Sequence, residues 1–215
     1  MYSSVIAAMI LLCSMPLSDA RAINNPCQVQ DIPSLTKQLT DTIEQMALAN
    51  TSANDLMSAL RGPGFLTEDD QNQLNATENL QDLPLLVEAD NLTVTNMVDF
   101  LHESCRIVST HIAYVQVALS EQVANDGRLL ETELSHLESK LFELLCNVHA
   151  LAHTKNASCA TIESTVDASV VPSAIRNIQD ATLRYMRNYI LGKDTKIFLG
   201  NLKANFMTLL NKNEK

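Results

Sequence analysis

Between Leu129 and His153, the residues Leu130, Leu134, Leu137, Leu141, Leu144, Val148 and Leu151 recur at spacings of four and three. That pattern places all seven on one face of an α-helix. Glu131, Glu133, Glu138, Lys140 and Asn147 fall off the stripe, and Cys146 shares a flank with Phe142 and His149. A helix of about 25 residues is roughly 38 Å long. It can bury such a stripe only against partners of similar length.

The chain supplies three more. Ile32, Leu35, Leu39, Ile43, Met46, Ala53, Met57 and Leu60 keep the same spacing, with Asp31 as a candidate cap, Pro33 in the first turn and Gly62-Pro63-Gly64 as the stop. Val94, Val98, Leu101, Cys105, Val108, Ile112, Val115 and Leu119 form a second helix, with Thr93 as its cap. The fourth runs from about Asp180 to Leu210, with Leu183, Met186 and Ile190 early and Leu199, Leu202, Phe206 and Leu209 late. Its polar middle, Gly192 to Lys196, predicts a bend or weak packing. Few glycines, few prolines and no tryptophan suit long helices better than a sheet.

The links decide the order. The second and third helices are joined by the short turn Asn125-Asp126-Gly127, which makes them antiparallel neighbours. The stretch after Gly64 through Thr93, and that from Thr154 to about Gln179, show no sustained period. Long crossovers let successive helices point the same way, so long, short, long predicts an all-α, long-chain four-helix bundle wound up-up-down-down.

Met1 to Ala22 reads as a secretory signal peptide, with an apolar run from Val5 to Cys13 and Ala20-Arg21-Ala22 as an A-x-A cleavage site. Residues 23–215 then form one domain, expected to be soluble because no later apolar run approaches the ~18 residues of a membrane span. Cys27, Cys105, Cys146 and Cys159 remain, open to three pairings. In the expected topology Cys27 and Cys146 belong to one end of the molecule, as do Cys105 and Cys159. The expected disulfides are therefore Cys27–Cys146 and Cys105–Cys159, with a free core thiol at Cys105 as the alternative. Sequons at Asn50, Asn75, Asn91 and Asn156 fit the same secretory route.

A net charge of -10 with scattered basic residues lacks the footprint of a nucleic-acid binder and disfavours an anionic membrane as partner. Glu133 with His136 and Asp99 with His102 have the spacing of a bundle metal pair but sit off the core stripes, where such sites must point inward. His149 and His153 have no third ligand in view. G-x-S-x-G, H-E-x-x-H and glycine-rich phosphate loops are absent from the sequence. The expectation is a binding protein, not an enzyme, with no cofactor or metal, acting as a monomer through its exposed faces and long crossovers.

Asn25-Pro26-Cys27, followed by Asn50-Thr51-Ser52-Ala53-Asn54-Asp55-Leu56, resembles the first-helix region of leukemia inhibitory factor. Leu144-Leu145-Cys146-Asn147-Val148 is similar to the end of its third helix, and Tyr189-Ile190-Leu191-Gly192 through Phe206 to its fourth. In order along the whole chain, these motifs resemble the leukemia inhibitory factor, oncostatin M and ciliary neurotrophic factor branch of the interleukin-6 cytokines. The resemblance implies a secreted class I helical cytokine that assembles cell-surface receptors and triggers JAK-STAT signalling in growth or immune responses. Exposed residues of the first and third helices would meet a receptor of the glycoprotein 130 type. The start of the fourth would meet one of the leukemia inhibitory factor receptor type. Where the branch carries an F-x-x-K pair, this chain has Met186 and Tyr189, with Arg187 as a nearby charge. The alternative class is a secreted four-helix enzyme inhibitor of the pectin methylesterase or invertase inhibitor kind. Those carry a close N-terminal cysteine pair, whereas Cys27 stands alone until Cys105.

Overall fold

A computed structural model describes residue 27 and residues 33–76, 79–80, 82–86, 92, 96–157, 159 and 168–213. The stretch Met1–Ala22, expected to be a signal peptide, and Asp31, Ile32, Asn91, Thr93 and Val94 lie outside the described residues. Among those described, the chain is all-helical and dominated by four long helices.

Helix α1 spans Leu35–Leu60. Its cap is Ser34, whose side chain accepts the Lys37 N–H at 3.3 Å, in place of the expected Asp31. Helix α2, Glu68–Ala76, lies in a segment read as without period. Leu74 is buried there, but Thr67 and Asp70 exchange hydrogen bonds of 3.2 and 2.9 Å as a capping box, and three acids fill the first turn. Helix α3 is Met97–Asn125 and α4 is Glu131–Thr154. In the turn between them Gly127 has φ +63°, a conformation glycine adopts freely. After a single 3₁₀ turn, Ala168–Val170, and the short α5, Ser173–Arg176, helix α6 runs unbroken from Ala181 to Asn213.

All seven residues of the α4 stripe are fully buried. The other stripes carry corrections. Val98 is exposed because Met97, Phe100 and Leu101 take the core side of α3. Leu183 is exposed because α6 turns Arg184, Tyr185 and Asn188 inward instead. The middle of α6, expected to bend or pack weakly, is continuous helix, with Asp194 and Thr195 at 0% exposure. Gly192 explains the fit: a Cβ there would fall 2.8 Å from Met57 Cγ and 3.2 Å from the Ala53 carbonyl, so α1 passes directly over it.

Helices α1 and α6 are antiparallel, joined by Arg61 to Tyr189 at one end, Lys196 to Asn54 in the middle and Asn213 to Thr36 at the other. Gln38 to Thr154 and Gln45 to the Lys140 carbonyl set α1 antiparallel to α4. Gln116 to Glu138 and Gln122 to the Leu130 N–H do the same for α3 and α4. The pairs Arg184 with Asp126, His111 with Thr195 and Phe206 with Phe100 run α6 antiparallel to α3. Cys27 pairs with Cys146 and Cys105 with Cys159, at Cα separations of 4.9 and 5.8 Å. Cys105 is thus a buried, bonded cysteine and not a free thiol.

Candidate functional site

The start of α6, the end of α3, the start of α4 and the end of α1 meet at one end of the molecule. What holds them is polar. Arg184 Nε donates to Asp126 Oδ2 at 2.9 Å while its Nη2 meets Oδ1, and its Nη1 donates to the carbonyls of Ile178 and Gln179 at 3.0 and 2.6 Å. Asp126 also accepts from Gln122 Nε2 at 2.9 Å, and Gln122 in turn accepts the first free N–H of α4, from Leu130, at 3.1 Å. One carboxylate therefore ties α6 to the turn that leads into α4.

One turn further along α6, Arg187 Nη1 lies 2.5 Å from Glu121 Oε2 and donates to the Ile175 carbonyl at 3.0 Å. Its Nε and Nη2 donate to Asn188 Oδ1 at 3.0 and 2.7 Å. Burial pushes the Glu121 carboxyl up and the Arg187 guanidinium down, and their mutual attraction opposes both shifts. The Asp126 hydrogen bond holds Arg184 firmly in its charged form. Tyr189 is fully buried, its hydroxyl accepting from Arg61 Nη2 at 2.8 Å, while the Phe65 ring meets Tyr185 edge-on at 5.0 Å.

This arrangement corrects the surface assigned from the sequence. Tyr189 and Arg187 face inward, so neither is available to a partner; Met186 is half-buried. Among exposed polar neighbours such as Asn125, Arg128, Asp180 and Thr182, the same end also exposes three large apolar side chains: Val123 at 45%, Leu129 at 61% and Leu183 at 53%. Each belongs to an element of the ion-pair cluster, so the apolar rim stands on a braced base. The signal that finds them is the mismatch between large apolar side chains and the true core register.

Along α1 and α4, a second exposed face carries Glu44, Leu48, Thr51 and Asp55 from the first helix and Thr132, His136, Ser139 and Glu143 from the second. Gln45 bridges the two, donating to Glu143 at 2.9 Å, and Glu143 is held below the usual carboxylate range by its bond to Lys140. Asn156 is exposed at the end of α4 with φ +55°, whereas Asn50 lies half-buried within α1 with its Oδ1 shielded from solvent. Asn91 and the side chain of Asn75 lie outside the described residues.

His136, His102, Asp99 and His153 are exposed, with Glu133 and His149 half-buried. Among the described residues no three His, Cys, Asp or Glu side chains gather as a metal site. No described helix is long and apolar enough to cross a membrane. Comparison of the chain with protein-family models, with curated proteins and with solved structures gave no significant match.

Proposed function

We propose that the chain is a secreted class I helical cytokine, a long-chain four-helix bundle wound up-up-down-down, that assembles two kinds of receptor and so triggers JAK-STAT signalling. The observation that carries this reading is the set of helix directions. With α1 antiparallel to both α4 and α6, and α3 antiparallel to the same two, the long crossovers join parallel helices and the short turn joins antiparallel ones. The paired cysteines suit an oxidising, extracellular setting, as the leader Met1–Ala22 does.

In this reading the exposed α1 and α4 face serves the glycoprotein 130 type receptor. The second receptor, of the leukemia inhibitory factor receptor type, docks on the rim of Leu183, Leu129 and Val123, with Met186 at its edge. Exposed large apolar groups can form the apolar centre of such a contact. Nothing in this function requires a catalytic group.

The test is STAT phosphorylation in cells that carry both receptor types, using the purified chain and a Leu129→Asp/Leu183→Asp variant. The wild-type chain is expected to signal and the variant to lose potency at least ten-fold while its helical circular dichroism is unchanged. Full signalling by the folded variant would remove the rim from the receptor contact. Absence of signalling by both would count against the cytokine reading and leave the enzyme-inhibitor class to be examined.

A further inference from the structure

The crossover through Leu80, Leu83, Pro84 and Leu86 is held to the helices by side chains reaching its backbone. Asp194 Oδ2 accepts the Leu80 N–H at 2.6 Å, and seven residues along the same face of α6 Asn201 Nδ2 donates to the Leu86 carbonyl at 2.6 Å. Between them, His111 of α3 meets the Pro84 carbonyl through Nε2 at 3.1 Å and the Thr195 hydroxyl through Nδ1 at 3.0 Å, its ring stacked 4.5 Å from that of Phe198. A carbonyl can only accept, so Nε2 carries the proton and Nδ1 accepts from Thr195. His111 is fully buried.

Helix α6 brings Thr195 and Phe198 to the ring, with Asp194 next to Thr195 in sequence and Lys193 Nζ 3.9 Å from the Asp194 carboxylate; the crossover brings the Pro84 carbonyl, and its Asp82 acts on Tyr114, one turn along α3. The two groups bonded to the ring are both neutral, and Asp194 is engaged with Leu80. A proton added to Nδ1 would therefore place a buried charge without a bonded carboxylate.

We propose that His111 is an acid-sensing latch: protonation of its ring releases the crossover through Leu80, Leu83 and Pro84 from α3 and α6 while the long helices stay packed.

Burial holds the closed-state His111 down at about 4, against an ordinary value near 6.5 once hydrated, and outweighs the Pro84 bond, which acts in the opposite direction. The open state therefore binds the proton first, and acid favours it through the window from about 6.5 down to about 4. Those two values make opening about 20-fold more frequent at pH 5 than at pH 7. Asp194 works in the opposite direction, because burial pushes its carboxyl up and acid favours its closed, protonated form. The Asp194→Asn variant removes that opposition.

The experiment is hydrogen exchange of the full chain at pH 7 and pH 5, with each rate divided by its intrinsic value. Opening at Leu80 and Leu83 is expected to rise by up to about 20-fold in the wild type and by the full factor in Asp194→Asn, with α4 amides unaffected. His111→Gln, whose amide can serve both Pro84 and Thr195, is expected to abolish the rise. An opening that ignores pH in both wild type and Asp194→Asn, one that persists in folded His111→Gln, or a rise shared equally by α4 would overturn the latch. Should His111→Gln not fold, the wild-type ring titration by NMR replaces it: its midpoint must track the opening, and a ring that titrates near 6.5 with the crossover still closed contradicts the proposal.

Discussion

Arg187 and Glu121 face each other with 4% and 9% of their side chains exposed, beside a second pair, Arg184 and Asp126, buried to the same degree. Two desolvated charges roughly cancel their own cost, so the pair specifies how α6 sits on α3 more than it stabilises the fold. Removing one partner is a different matter. Arg187→Met should cost about 3–5 kcal/mol by stranding Glu121, and adding Glu121→Leu should recover most of that loss. Denaturant midpoints of the two variants measure it; equal destabilisation by both would mean that the charges themselves hold the helices together. The same residues mark where pattern reading stops. Leu183, Met186 and Ile190 look like the inward stripe of α6, yet the register is turned by about one residue so that Arg184, Arg187 and Asn188 are buried. A buried arginine is legible only once its carboxylate is located, and Glu121 and Asp126 lie at the end of α3 and in the turn after it. Tyr189 is expected at the surface only through the resemblance, where it stands in place of the branch's lysine, and it is fully buried.

Helix α4 is the opposite case. Every position of its stripe is leucine or valine and every one is buried, so the apolar period alone identifies its face. Helix α2 was missed because Leu74 is the one large apolar residue it offers, although its Thr67-x-x-Asp70 box was present in the sequence. In α6 the stripe continues through Leu191, Asp194, Thr195 and Phe198, two of them polar, and a hydrophobic pattern reads such a stretch as a break. Its two glycines separate packing from propensity. At Gly192 a Cβ would press on Met57 and the Ala53 carbonyl, while at Gly200 it would meet nothing within 4 Å. Gly200→Ala should therefore gain up to about 1 kcal/mol through helix propensity. Gly192→Ala should lose up to about 2 kcal/mol, the roughly 1–3 kcal/mol cost of overpacking less the same propensity gain. Thermal midpoints moving apart in those directions support the close α1–α6 approach; two equal gains would contradict it.

At the scale of the molecule, the four antiparallel pairs and two disulfides act together. Cys27–Cys146 closes a separation of 119 residues and Cys105–Cys159 one of 54, cross-links that restrict the unfolded chain by an amount on the order of 4–5 kcal/mol each in the loop-entropy picture. Helix order, the short turn and the cysteine ends were legible because link lengths and stripes are local features. Which apolar side chains stay outside depends on contacts between distant helices, and the rim of Val123, Leu129 and Leu183 came from the structure alone. The proposed function requires two independent docking faces on these helices. The direct measurement is the mass in solution of the purified chain mixed with the ectodomains of a glycoprotein 130 type and a leukemia inhibitory factor receptor type receptor, by light scattering after size exclusion. One particle whose mass contains all three is expected, reduced to a binary complex by Leu129→Asp/Leu183→Asp; elution of the chain apart from both receptors would overturn the proposed function.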